Sequence, residues 1–161
     1  MVDPLDDIRS RLEGLPGPHE DAVARVRARD AQLTKPAGAL GRLEELATWA
    51  AAWQGGASLR ADPIQVLVFT ANHGVAARGV SAYPPEVTAQ MVANFAAGGA
   101  AINQLSAMAG ADLSVHGIEL DRPTADFTIA PAMTSEDCAA AFHLGMEKIS
   151  SGTALLCVGE M

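Results

Sequence analysis

Residues 64–71, Ile-Gln-Val-Leu-Val-Phe-Thr-Ala, form a nearly continuous apolar run that is rich in β-branched side chains. Such a run is typical of a strand buried on both faces of a parallel sheet, because a half-solvated strand alternates apolar and polar residues. Residues 112–120 and 153–158 predict a second and a third strand. Parallel strands need crossover connections, so the segments between these runs must be long enough for helices.

Helical stretches do separate the three runs. Residues 85–97 and 99–109 lie between the first two runs, and residues 135–150 lie between the second and the third. The last stretch opens on a capping signal, since Thr134 is followed by Asp137 three positions later. Alternating strands and helices indicate a doubly wound α/β domain. The sequence therefore predicts an α/β fold with a Rossmann-like parallel sheet, of which about three strands are present.

The residues ahead of the sheet predict a helical subdomain. Apolar residues recur at helical spacing after Pro18 and again over residues 40–53, and two glycines end the second segment. We therefore predict an N-terminal helical subdomain over residues 1–58 and the first half of a Rossmann-like domain over residues 59–161. A buried third strand that runs into the last residues leaves a sheet edge unfinished. We expect a domain truncated after that strand.

The charge balance excludes two classes of partner. The 161 residues include 19 acidic and 11 basic side chains, for a formal net charge of -8. Nucleic acids and anionic membranes need a concentrated basic face, so neither is expected as a partner. The first residues lack the basic and apolar segments of an export signal. Residues 87–111 carry no charge, but amides and glycines punctuate them, which favours two helices over a membrane span.

The cysteines and histidines show no metal or disulfide pattern. Cys138 and Cys157 lack CxxC spacing and follow no secretory signal, so we expect free thiols in a reducing cytoplasm. The four histidines include no i,i+4 pair, and zinc is therefore not expected. Residues 72–79, which follow the first run, contain neither GxGxxG nor GxxxxGK, so NAD and ATP are not expected either.

Ligands of doubly wound sheets bind beyond the carboxyl ends of the strands, so residues that follow the apolar runs are candidates for a site. These residues are Asn72-His73-Gly74, Leu120-Asp121-Arg122 and Gly159-Glu160-Met161. Glu160 is the sharpest candidate, because a carboxylate directly after a buried strand and a glycine faces the mouth of the site and can accept a proton. His73 can bind a ligand, or it can order its loop through hydrogen bonds to the backbone.

Four segments together carry a resemblance to a known family. They read KPAGALGRLE at 35–44, FTANHGV at 69–75, GVSAYPPEVTAQM at 79–91 and NFAAGGAAIN at 94–103. In order and spacing they resemble the nicotinate-nucleotide:dimethylbenzimidazole phosphoribosyltransferases. The closing Val-Gly-Glu-Met at 158–161 resembles the start of the family's GEMGxGNTT segment, cut after the methionine.

The resemblance implies a reaction of cobalamin biosynthesis. The family transfers phosphoribose from nicotinate mononucleotide to 5,6-dimethylbenzimidazole, which yields α-ribazole 5′-phosphate and nicotinate, and no metal or organic cofactor is implied. The chemistry needs a base that deprotonates the azole and a site that stabilises oxocarbenium-like charge. The family's principal base and most of its phosphate-binding glycines lie beyond residue 161. We therefore expect the 161-residue chain to be inactive on its own.

The resemblance also implies roles for individual residues. Glu160 matches the family's second active-site glutamate, expected near the azole as an auxiliary base, and Gly159 precedes it in the same segment. Asn72 and His73 lie in the family's first loop, where Asn72 replaces a frequent aspartate, so an acid role for position 72 is not expected. We assign Gly159, Asn72 and His73 to substrate binding.

Tyr83, Pro84 and Met91 fall on positions that line the family's benzimidazole slot. Tyr83 and Met91 offer stacking and dispersion contacts in place of the hydrogen bonds that a serine and a glutamine provide there. From helical spacing alone, a methionine at this position is more often plain core than part of a binding slot. The family is a homodimer, and by the resemblance residues 35–44 could cap the partner's pocket.

Two other functions fit the residues. A stand-alone module could hold an aromatic base without reacting, and a different enzyme, such as a nucleotide-sugar transferase, could use the same half-sheet. The second alternative needs a phosphate-binding loop, which the sequence does not show. Titration with dimethylbenzimidazole separates the module from a folded remnant that binds nothing.

Overall fold

A computed structural model describes residues 3–56 and 58–161 of the chain. The helices and strands are α1 (Asp6–Glu13), α2 (Glu20–Asp30), α3 (Arg42–Gln54), β1 (Ile64–Thr70), a 3-10 helix (Gly74–Arg78), α4 (Glu86–Ala96), α5 (Ala101–Ala109), β2 (Asp112–Gly117), α6 (Ser135–Glu147) and β3 (Leu155–Glu160). These elements form two compact units. One unit comprises Glu13–Ala61, and the other comprises Asp62–Met161 together with the residues up to Leu12.

The three strands form one parallel sheet in the order β2-β1-β3. β1 is the central strand, and five of its seven residues are buried, with Leu67 and Thr70 almost fully so. The α/β prediction and the buried first strand are confirmed. Because the chain passes from β1 to one neighbour and then back across β1 to the other, the sheet is doubly wound in the Rossmann-like manner.

β2 ends at Gly117 and not at residue 120 as predicted. Glu119, two residues later, has a φ of +40°, which no strand residue adopts, and this turns the chain out of the sheet. A hydrogen bond from the amide of Ile118 to the carbonyl of Thr70, 2.8 Å long, continues the ladder one step beyond the strand. The loop after β2 therefore starts level with the end of β1.

β3 differs from its prediction in range and in burial. The strand starts at Leu155, and Glu160 is its last paired residue, opposite Phe69 of β1. The expectation of a buried third strand is wrong, since Val158 is 66 % exposed and Leu156 36 %. The physical reason is that strand side chains point to the faces of the sheet, and within the described residues α4 and α5 pack on β2 and leave β3 largely uncovered.

Side-chain hydrogen bonds stabilise the ends of the helices that connect the strands. The prediction of two helices joined at glycines is confirmed, and Asn103 links them by donating to the carbonyl of Phe95 and accepting from the amide of Ala100. The capping signal of α6 is also confirmed, because the Thr134 hydroxyl accepts from the amide of Asp137 at 3.1 Å. In the described part of the chain, each helix is too short or too polar to cross a membrane.

The unit Glu13–Ala61 is a pair of packed helices. Ala22, Val23 and Ala51 are the buried contacts of α2 and α3. Gly55 ends α3 with a φ of +64°, and its amide donates a hydrogen bond to the carbonyl of Ala51. α3 also presents exposed apolar side chains at helical spacing, namely Leu43, Leu46, Trp49 and Trp53.

Candidate active site

The carboxyl ends of β1 and β3 lie side by side at one edge of the sheet. The crossover from β1 leads to β2 on one side, whereas β3 lies on the other side, so the β1–β3 boundary is the topological switch point. Doubly wound sheets bind ligands at this point. His73 follows β1, Glu160 ends β3, and His73 Nε2 lies 3.3 Å from Glu160 Oε1 across the boundary. The structure thus brings two of the sequence-predicted site residues into contact.

The His73–Glu160 contact is open to solvent. The imidazole is 45 % exposed and the carboxylate 72 %, so water screens their attraction and the contact adds little to folding stability. The same exposure leaves both groups within reach of a ligand. Gly159 precedes Glu160 in β3, opposite Val68, and a Cβ on this glycine would meet Val68 Cγ2 in an ordinary contact at 3.5 Å.

The loop after β2 is tied to the loop after β1. The amide of Thr124 donates to the carbonyl of Asn72 at 3.1 Å, and the amide of Gly74 donates to the carbonyl of Thr124 at 2.9 Å. The Asn72 side-chain amide adds a bond of 2.8 Å to the carbonyl of Leu120. An ionised aspartate has no hydrogen to donate, so an asparagine suits this position. We call these three hydrogen bonds the loop lock.

Close packing and an ion pair reinforce the loop lock. A Cβ on Gly74 would lie 2.5 Å from the carbonyl oxygen of Thr124 and 2.7 Å from the amide nitrogen of Asp126, so the loops meet backbone to backbone. Arg78 Nε contacts Asp126 Oδ2 at 2.6 Å. Hydrogen bonds from Thr128, together with the Arg78 contact, hold the pKa of Asp126 below its ordinary value.

Tyr83, Pro84 and Met91 belong to the chain that leads into α4 and to α4 itself. Tyr83 is 70 % exposed, and the Ser81 hydroxyl both donates to its carbonyl and accepts from its amide. Pro84 is exposed and Met91 is half-buried. Among the described residues, no hydrogen bond or ring contact joins Tyr83 to His73 or Glu160. A common site for these two groups of residues therefore stays a prediction.

A cavity of about 820 Å³ opens between the loop lock and the start of α6. Asn72, Arg122 and Asp137 line it together with apolar side chains such as Leu144, and its volume lies within the roughly 300–1,000 Å³ of small-molecule sites. Arg122 pairs with Glu119 and, at 3.0 Å, with Asp137. The guanidinium and the Thr134 cap lower the pKa of Asp137. The acidic residues of the cavity were not foreseen from the sequence, because only the folded loop brings them together.

The described residues, 3–56 and 58–161, contain no group of three or more His, Cys, Asp or Glu side chains that could hold a metal ion. The polar groups at the switch point are instead an imidazole, a carboxylate and the neighbouring Thr124 hydroxyl, which lies 3.5 Å from His73 Nδ1. This set can accept, hold and donate protons.

Comparison with known proteins gives a consistent result. A family model described as "Phosphoribosyltransferase" matches residues 15–161. The nicotinate-nucleotide–dimethylbenzimidazole phosphoribosyltransferases of Jannaschia sp. (strain CCS1) and Rhizobium rhizogenes (strain K84) are 57% and 54% identical to 98% of this chain, which spans 47% and 46% of those proteins. The chain therefore spans about half the length of the curated relatives it matches.

A solved structure from Thermus thermophilus, described as nicotinate-nucleotide-dimethylbenzimidazole phosphoribosyltransferase, is also similar. It superposes on 88% of this chain with a TM-score of 0.80 and 40% sequence identity. The superposed region is 48% of the Thermus chain. Sequence and fold comparisons thus agree on the same kind of protein.

Proposed function

Because the chain belongs to the nicotinate-nucleotide:dimethylbenzimidazole phosphoribosyltransferase family and matches its N-terminal half, we propose that the whole protein transfers phosphoribose from nicotinate mononucleotide to 5,6-dimethylbenzimidazole. The products are α-ribazole 5′-phosphate and nicotinate, in cobalamin biosynthesis. The observation that carries the proposal is the His73–Glu160 contact at the switch point of a sheet that this family shares.

Glu160 is the proton acceptor that this half of the protein supplies. In the reaction, the azole N–H bond breaks, an O–H bond forms on a base, and the azole nitrogen bonds to the anomeric carbon as the bond to nicotinate breaks. A carboxylate that is 72 % exposed at the switch point can be reached by the azole. We assign the auxiliary role to Glu160, with the principal base supplied by the half of the relatives that this chain does not match.

Tyr83, Pro84 and Met91 form the slot for the benzimidazole ring in this proposal. The Tyr83 ring is exposed while its backbone is held by Ser81, so it can stack on a flat ring without a large loss of freedom. Met91 provides a polarisable thioether on α4. The slot would therefore select its base by shape and dispersion more than by hydrogen bonding.

The 161-residue chain alone is expected to form no α-ribazole 5′-phosphate from nicotinate mononucleotide and dimethylbenzimidazole. The reason is that the chain spans about half of the relatives' length and does not include the part that supplies the principal base. Mass spectrometry of the reaction mixture measures the product directly. A rate similar to that of the relatives would contradict the expectation.

Calorimetric titration of the same chain with dimethylbenzimidazole decides on the alternative function, a stand-alone module that holds an aromatic base without reacting. The exposed ring of Tyr83 is the observation that favours this alternative. Saturable heat without product would support it. A matched titration with Tyr83→Ala should then lose the heat, whereas a chain that binds nothing shows only heats of dilution.

We also propose that the protein is a homodimer in which the helical unit packs against a partner subunit. The exposed apolar side of α3, with Trp49 and Trp53 at its centre, supports this proposal, since buried tryptophans often dominate the free energy of association. Residues 35–44 lead into α3 and include its first three residues, and Lys35 Nζ contacts Glu44 at 2.6 Å, which orders this segment.

Trp49→Glu is expected to weaken the dimer at least about tenfold, because a charge would be placed in an apolar interface. Sedimentation velocity over a range of concentrations gives the dissociation constant. Leu15→Glu is the matched control, since Leu15 is an exposed apolar residue of the same unit outside α3. A wild-type chain that sediments as a monomer at all concentrations would contradict the proposal for these residues.

A further inference from the structure

The His73 imidazole lies between a hydroxyl and a carboxylate. Its Nδ1 is 3.5 Å from Thr124 Oγ1, and its Nε2 is 3.3 Å from Glu160 Oε1. The three residues come from the three strand ends of the sheet: Thr124 follows β2, His73 follows β1, and Glu160 ends β3. One chain of side-chain contacts therefore crosses the whole carboxyl edge.

The chemistry of the two neighbours determines which nitrogen of the neutral imidazole carries the hydrogen. An ionised carboxylate only accepts hydrogen bonds, so the Nε2 that faces Glu160 must donate. In a neutral imidazole the Nδ1 then has a lone pair, and it needs a donor such as the Thr124 hydroxyl. The contacts are thus consistent with one tautomer and with one orientation of the ring.

The backbone of Thr124 is fixed independently of this side-chain contact. Its amide donates to the carbonyl of Asn72 and its carbonyl accepts from the amide of Gly74, both within the loop lock. The hydroxyl is therefore presented to His73 from a position that the loop lock determines. An orienting group is effective only when its own position is fixed.

We propose that Thr124 and His73 are positioning residues for the Glu160 carboxylate. His73 holds one carboxylate oxygen through Nε2–H, and Thr124 holds the imidazole through Nδ1. When Glu160 acts in its auxiliary role, its carboxylate accepts the azole proton, the N–H electron pair stays on the azole nitrogen, and His73 keeps its own proton throughout. The catalytic meaning of these contacts depends on the proposed function, whereas the contacts themselves do not.

The first test is the nuclear magnetic resonance spectrum of the 161-residue chain. The nitrogen-15 shifts of an imidazole differ between its two tautomers, so wild-type His73 should show the signal of a single Nε2–H tautomer, which Thr124→Val and Glu160→Ala lose to a mixture of both tautomers. Glu160→Gln should retain the signal, because its amide oxygen still accepts. Thr128→Val is the matched control, since it removes a hydroxyl that contacts Asp126 in the same loop without touching His73.

The proposal is overturned if wild type shows no such signal, or if Thr124→Val and Glu160→Ala leave it unchanged. Loss of the signal in Thr128→Val as well would mean that general loosening of the loop is responsible, and this too would overturn the proposal. None of these outcomes depends on turnover, so they remain decisive even if the proposed reaction is wrong.

The second test measures turnover in a mixture of this chain with the unmatched half of a relative. His73→Ala should lower kcat roughly tenfold to a hundredfold, the usual cost of removing an orienting partner, with KM for nicotinate mononucleotide within about twofold. His73→Gln should recover most of kcat, because its amide can donate to Glu160. A change in KM alone would overturn the positioning role, and a wild-type mixture without turnover would count against the proposed function instead.

Discussion

A mixture of the 161-residue chain with the unmatched half of the 57% identical Jannaschia relative is expected to form α-ribazole 5′-phosphate roughly 10²–10⁴ times above the background measured with this chain alone. The increase corresponds to the contribution of a general base, which the second half supplies. Product formation at increasing ratios of the two halves gives both the rate and the apparent affinity between them.

The exposed strand β3 is the physical reason to expect that the halves associate. Parallel sheets are normally covered on both faces and paired along their edges, whereas Val158 and Leu156 are exposed. Exposed apolar side chains also lie on α6 and just after it, namely Phe142, Met146 and Ile149. Burying this surface against further strands and helices would stabilise the complex through the hydrophobic effect.

Val158→Asp should abolish the increase in rate, since a carboxylate would be buried at the contact between the halves. Met108→Asp is the matched control, because Met108 is likewise an exposed apolar residue, on α5 of the same unit. An equal loss of product formation in both variants would show that any added surface charge lowers the activity of the mixture. Full activity of the Val158→Asp mixture would mean that β3 is not the contact surface.

Gly74→Ala is expected to lower the free energy of unfolding by about 1–3 kcal/mol, the usual cost of forcing an extra methyl group into a packed position. The new Cβ would lie 2.5 Å from the Thr124 carbonyl oxygen and 2.7 Å from the Asp126 amide nitrogen. Neither is the flexible end of a side chain, so the loops must move apart. Urea unfolding followed by circular dichroism measures the difference.

Gly145→Ala is the control for that substitution. Gly145 lies inside α6, and among the described residues no atom outside the backbone of its own helix lies within 4 Å of the place that a methyl group would take. Alanine should therefore stabilise the helix by roughly 0.5–1 kcal/mol. The two glycine substitutions should have opposite signs. Similar effects at both positions would argue against a close approach of the loops at Gly74.

Much of the fold could be predicted from apolar runs and helix signals. The run at 64–71 indicated the central strand, and the pair Thr134 and Asp137 indicated the start of α6. The exposure of β3 could not be predicted in this way, because Leu-Leu-Cys-Val reads the same in a central and in an edge strand. Burial depends on the neighbours of a strand, which its own sequence does not specify.

The candidate site was predictable in part. The rule that ligands bind beyond strand ends indicated His73 and Glu160, which the structure places in contact. Thr124 was missed, because it lies in an irregular loop and reaches His73 only through long-range backbone hydrogen bonds. Gly74 was the available signal, since a glycine just after a buried strand often marks a close approach of another backbone segment.

The loop lock also determines at which stage the residues around the switch point lose conformational entropy. Its hydrogen bonds form as the chain folds. The conformational entropy of Asn72, His73 and Thr124 is therefore lost during folding and not when a substrate binds. An incoming ligand meets preorganised residues, and less of its binding energy is spent on ordering the protein. In the absence of substrate, the amides of the loops after β1 and β2 should accordingly exchange with the same free energy of opening, because the two loops open as a single cooperative unit.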